Sequence, residues 1–198
     1  MCVDRGFVTT TGLRGLRDAR VPRGDVWSAD WHISGLRFAT VLAVRMRSPF
    51  DLLPQDMGYP ISNLSRLIAV DAAAPNTLVA MSTDNALRLR RCGKDDFQVW
   101  HFSPPHASGW TLLGEVSTKV VAVSPARFVG IEGGSTSSGM SVHIRGGGGE
   151  RVVVAFAPPS AMRVAVSSIS ASMVVVECML PASGRAVVSV PQRKCEES

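Results

Sequence analysis

Between Phe97 and Pro191 the chain is a succession of short apolar runs cut by Gly, Pro and Ser clusters, a rhythm that few folds accommodate. Its clearest unit is Met140-Ser141-Val142-His143-Ile144-Arg145, then Gly146 to Gly149, then Glu150-Arg151-Val152-Val153-Val154-Ala155-Phe156-Ala157. Val142 and Ile144 share one side of the first run, while Ser141, His143 and Arg145 take the other. That is the period of a half-buried strand. The second run is apolar on both sides and rich in β-branched valine, which suits a pleated, covered surface. Glycine reaches positive φ without steric cost, so the two runs are predicted to pair as a hairpin.

Further strands are predicted over residues 97–102, 110–115, 120–123, 162–166, 173–180 and 185–190. The breaks between them are Ser103-Pro104-Pro105, Ser124-Pro125, Gly133-Gly134-Ser135, Pro158-Pro159 and Pro181-Ala182-Ser183-Gly184. Proline removes a ladder donor and glycine loosens the backbone, so such clusters end strands. Strands at roughly 8–12 residue intervals point to an antiparallel β-sandwich. Val142, Ile144, Val152, Val154, Phe156, Val176 and Val188 are its predicted core.

The N-terminal part reads differently. Residues 1–32 form an arm rich in Arg and Gly, expected to be disordered because it has little apolar surface to offset the entropy of ordering. Residues 33–46 place Leu36, Ala39, Ala43 and Met46 at helical intervals, so a helix is predicted there. It should stop near Arg47, since Pro49 disfavours helical geometry in the residue before it. A strand pair around Asp84-Asn85 is expected between Thr77 and Arg91. The chain thus divides into an arm (1–32), a helical segment (33–92), a sandwich (93–191) and a tail (192–198). The fold class is mainly β, with an N-terminal helix.

The 198 residues, 45% of them hydrophobic, suffice for a substantial core. No run approaches the roughly 18 uncharged apolar residues of a bilayer span, so no membrane role is expected. Met1-Cys2-Val3-Asp4-Arg5 leads into no apolar stretch of the kind a secretory signal carries. The net charge of +5 is concentrated at the front, where residues 1–50 hold eight Arg and four Asp. Those arginines lack the interleaved aromatics of a nucleic-acid surface, and no nucleic-acid partner is expected. Cys2, Cys92, Cys178 and Cys195 are too dispersed for a zinc site. Cys178, on the apolar side of its run, reads as a small buried hydrophobe. A bridge such as Cys2–Cys195 stays open, and with it the compartment.

Little in the chain specifies a reaction. His32, His101, His106 and His143 show no ligand spacing, so no metal site is expected. The glycine run at 146–149 lacks the Lys-Ser/Thr of a phosphate loop, so no cofactor is expected either. Gly133-Gly134-Ser135-Thr136-Ser137-Ser138-Gly139 lacks the register of a nucleophile elbow. Asp95, Asp96, Glu115, Glu132 and Glu150 fall near turns with nothing to bring two of them around a pocket. Trp100 and Trp110 are candidates for stacking on sugar rings, with burial in the core the stronger reading for each.

One resemblance adds to this. Arg37-Phe38-Ala39 followed by Arg47-Ser48-Pro49-Phe50 is similar to the last barrel helix and next strand of α-galactosidases of the melibiase type. Leu67-Ile68-Ala69-Val70-Asp71 resembles the stretch where that barrel ends, and Phe97-Gln98-Val99-Trp100 the strand that opens the accessory sandwich. The resemblance spans roughly residues 35–190. It implies a non-catalytic portion of a glycosidase, associated with carbohydrate. The Lys-x-Asp strand bearing the family's nucleophile is missing, and Asp71 and Ala72 stand where the family has Asn and Gln. Asp25 echoes the acid/base motif with spacings one residue too long, so no catalytic residue is assigned. The alternative is an independent β-sandwich binding or interaction module without enzymatic activity. An apolar 36–46 face left bare would favour the glycosidase piece, and one packed firmly on the sandwich the module.

Overall fold

The computed structural model describes residues 14–15, 25–59, 66–93, 95–116, 119–133, 139–163 and 173–198. Its strands are β1 (Arg14–Gly15), β2 (Asp25–Ile33), β3 (Leu36–Val44), β4 (Phe50–Leu52), β5 (Leu67–Asp71), β6 (Ala74–Met81), β7 (Leu87–Leu89) and β8 (Phe97–Ser103). They continue as β9 (Thr111–Gly114), β10 (Phe128–Glu132), β11 (Met140–Arg145), β12 (Arg151–Ala157), β13 (Val174–Met179), β14 (Arg185–Val190) and β15 (Lys194–Glu197). Single 3-10 turns occupy Pro54–Met57 and Pro159–Arg163. Every strand pairing is antiparallel. The protein is mainly β, and among the described residues no helix is long and apolar enough to cross a membrane.

The strands form a six-stranded sheet in the order β1-β2-β3-β8-β5-β6, a four-stranded sheet β10-β11-β14-β15, a three-stranded sheet β13-β12-β9, and the pair β4-β7. The four- and three-stranded sheets face each other as a sandwich. Val142, Ile144, Val152, Val154, Phe156, Val176 and Val188, the predicted core, all lie in the apolar cluster between them. The other face of the three-stranded sheet sends Leu113, Ala155 and Ala157 against Ile68, Val70, Leu78 and Ala80 of the six-stranded sheet. The far face of that larger sheet packs Val41, Ala69, Met81, Trp100 and Phe102 against Leu52, Met57, Leu87 and Leu89. Alternation along each strand therefore serves two cores at once, which is why so many of the runs are apolar on both sides.

Several expectations are corrected. Residues 36–44 are a strand, not a helix, paired with β2 on one side and β8 on the other. The run is apolar at both periods, and Thr40, Val41 and Val44 are β-branched, so the presence of two partner strands decides its conformation. The predicted hairpin is not one. β11 pairs with β10 and β14, β12 with β9 and β13, so the Gly146–Glu150 link crosses from one sheet of the sandwich to the other. Residues 25–32 of the expected arm belong to β2, and the expected tail contains β15. β6 pairs with β5 and β7 with β4, leaving only a Ser82–Asn85 bridge where a strand pair was expected. Residues 120–123 form bends rather than a strand. Residues 1–13 and 16–24 of the arm and most of the predicted 162–166 strand lie outside the described residues.

Candidate functional site

The two tryptophans singled out from the sequence are interior. Trp100 is 7% exposed, in the core behind the six-stranded sheet, and Trp110 is 6% exposed, in the sandwich core. A ring enclosed in this way offers no face to a sugar, so the stacking role does not fall to either.

The ionisable residues are largely tied into the fold. Arg127 bridges Glu115 (3.0 Å) and Glu150, and also donates to the Arg145 carbonyl at 2.6 Å. The hydrogen bond from Arg127, followed by that from the Gly147 N–H, holds the Glu150 carboxyl below its usual range. Arg151 and Glu177 pair across β12 and β13 in a two-pronged contact of 2.5 and 2.6 Å. Arg37 donates to Asp30 at 2.8 Å and to the Gly58 and Met57 carbonyls, with its guanidinium over the Tyr59 ring. Asp51 pairs with Arg88, and Glu132 lies 3.1 Å from His143. These are strand-to-strand and sheet-to-turn clasps. Glu115 and Glu150 meet at one guanidinium, that of Arg127, while Asp30, Asp51, Glu132 and Glu177 each face a separate basic partner. Among the described residues no group of three or more His, Cys, Asp or Glu side chains is placed to hold a metal ion.

His101 is a different case. It lies in the middle of the six-stranded sheet, opposite Thr40 on β3, with Thr40 Oγ1 3.0 Å from its Nδ1. Burial pushes its pKa down to about 4. Its Nε2 has no partner among the described residues, and neither has the hydroxyl of Thr111. The imidazole is thus held neutral in a buried seam between cores, a poor place for proton exchange with a substrate.

The surface that offers something to a ligand lies one row further along the same sheet face. Register aligns Trp27 with Leu42 and Val99, and Val44 with Phe97. Cross-strand partners project to the same side, so these five side chains form one apolar patch. Trp27, Leu42 and Val44 are half-buried, and Phe97 is 47% exposed. Two strand spacings and two residue steps separate the aromatic positions by about 12 Å between Cα atoms. Arg45, Asp95 and Asp96 stand exposed at the rim. Asp96 Oδ1 accepts the Phe97 N–H at 2.8 Å, fixing the entry of β8. Aromatic rings on a rigid strand framework can stack flat apolar surfaces while polar rim groups accept hydrogen bonds. Sequence reasoning passed over Trp27 and Phe97 because β2 had been placed in the arm and β8 shows aromatics on both sides.

Compared with known proteins, the chain matches no family model and no curated protein.

Proposed function

We propose that this chain is a non-catalytic β module that binds its ligand on the Trp27–Phe97 face, with carbohydrate as the ligand class. The observation that carries the reading is the half-open aromatic patch on the central sheet. The clasped carboxylates support the non-catalytic part of it. The choice of carbohydrate rests on the resemblance to the accessory portion of melibiase-type α-galactosidases, in which Phe97-Gln98-Val99-Trp100 is a strand as that resemblance implies. The stretch likened to a barrel helix gives it no support, being β3. A second reading is an independent interaction module with a protein partner. It is favoured by the packing of β3, whose Leu36 and Phe38 join the sandwich core and whose Ala39, Val41 and Ala43 join the core behind the sheet. The Leu42–Val44 end is half-open, whereas a remnant of a lost barrel would leave a whole face bare.

Titration of the purified chain with galacto-, manno- and gluco-oligosaccharides, followed by amide chemical shifts, separates the two. Shifts confined to residues 26–28, 42–45 and 96–99, with affinity lowered about tenfold by Phe97→Ala, are the expected result. Absence of any shift with all three sugar series would remove carbohydrate and leave the protein-partner reading. No aryl α-galactoside should be hydrolysed, and turnover abolished by Asp25→Asn would overturn the non-catalytic assignment.

A further inference from the structure

The open side of the sandwich is closed covalently. Cys178 on β13, the edge of the three-stranded sheet, is bonded to Cys195 on β15, the edge of the four-stranded sheet. Their Cα atoms lie 5.5 Å apart, within the usual span of a disulfide. Little else holds β15. It pairs with β14 over four residues, from Ala186–Glu197 to Ser189–Lys194. Lys194, Glu196 and Glu197 are exposed, and Cys195 is the only side chain of the strand that packs on the core. The Ser183–Glu197 hydrogen bond and the Lys194–Glu196 contact are both at the surface, where such interactions contribute little. A four-residue edge strand without apolar burial is not stable by pairing alone. By contrast, Ala186, Val188 and Val190 of β14 are fully buried and stay anchored whatever β15 does.

We propose that the Cys178–Cys195 disulfide is a redox latch: it clamps β15 over β14, and its reduction by a dithiol releases β15 and opens the β14 edge. Cys178 is 1% exposed and Cys195 half-buried, so the reductant's thiolate attacks the Cys195 sulfur. That step forms a mixed disulfide and expels the Cys178 thiolate, which takes up a proton. The reductant's second thiol then closes on its own mixed-disulfide sulfur and releases Cys195 as a thiol. Two electrons and two protons have passed from the dithiol to the protein, and the reductant leaves as a cyclic disulfide. The uncovered N–H and C=O groups of β14 are then free to pair with another strand.

The test is hydrogen exchange on the full chain, before and after dithiothreitol, with the disulfide mapped by mass spectrometry of the unreduced digest. The oxidised protein should yield the linked Cys178–Cys195 peptides. On reduction, the amides that bond across the β14–β15 pairing, those of Val187, Ser189, Lys194, Glu196 and Ser198, should exchange about tenfold faster or more. Ala186 and Val188, which bond to β11, and residues 142–144 and 152–156 should keep their protection. Cys195→Ser should show the reduced pattern without any reductant. Recovery of Cys195 free or joined to Cys2 would overturn the proposal. So would unchanged exchange in β14, which makes the bond a passive staple, or loss of protection throughout, which makes it a condition of folding.

Discussion

His101 shows how much one buried side chain can set the protein's response to acid. Its pKa stands near 4 in the fold because burial disfavours the imidazolium, against about 6.5 in the unfolded chain. Above pH 6.5 both states hold a neutral ring and the folded state loses nothing. As the pH falls from there towards 4 the unfolded chain binds a proton that the fold refuses, and stability drops. A gap of this size amounts to about 3 kcal/mol, complete by pH 4. Denaturant melts of the native chain and of His101→Gln should therefore converge by about that amount between pH 7 and pH 4. Carboxylates such as Glu150 titrate in both proteins and cancel in the comparison; parallel pH profiles would refute the burial of His101. Nothing in the local sequence gives this away, since His101 follows Trp100 in a run that is apolar on both sides. The same ambiguity hid the candidate site. Trp100 and Phe97 are three residues apart in one strand and so face opposite ways, and only the sheet packed behind β8 decides which ring is enclosed. Arg127 was equally silent, although Gly146 could carry no Cβ without striking its guanidinium and the Glu150 carboxylate. That glycine leaves room for the ion pair in its present position rather than supplying the turn expected of it.

Among the elements, strand positions were more legible than strand partners. β14 falls where its alternation placed it, and β11, β12 and β13 fall close to the predicted runs. Their buried residues were legible too, because alternation reports which side is covered. Partnership depends on residues far along the chain. The glycine-rich link between β11 and β12 has the composition of a hairpin turn, yet each strand finds two better neighbours elsewhere and the link crosses the sandwich. β2 and β3 show the converse. Their connection, Ser34-Gly35, has positive φ at both residues (48° and 77°), the geometry of a two-residue hairpin turn. The Ser-Gly pair was a readable turn signal, overridden by a helical spacing that a doubly buried strand satisfies by accident. β12 is densely buried, with Val152, Val154, Phe156 and Ala157 all fully enclosed. Val154→Ala should cost about 1–3 kcal/mol in chemical denaturation with little change in the slope. An unaltered midpoint would show that this strand does not carry the core.

The whole molecule does not divide where composition changes. Residues 93–191 looked like a separable sandwich, with residues 33–92 as a preceding piece. Instead β8 lies between β3 and β5 in the six-stranded sheet, so the nominal boundary passes through the middle of a ladder. Ala29 and Trp31 from the expected arm, with Ile33 and Phe38 from the 33–92 piece, join the sandwich core. Leu113, Ala155 and Ala157 from the 93–191 segment complete the core beneath β5 and β6. Separating the segments would bare both surfaces and leave β8 without either neighbour, exposing its backbone groups as well as its apolar faces. Residues 93–198 expressed alone should therefore lack a cooperative thermal transition and give a collapsed amide spectrum, while the full chain melts in one step. A well-dispersed spectrum from the isolated segment would restore the two-part division. It would also place the Trp27–Phe97 face across a junction between units rather than on a single rigid sheet, so the outcome bears on the binding proposal as directly as on the fold.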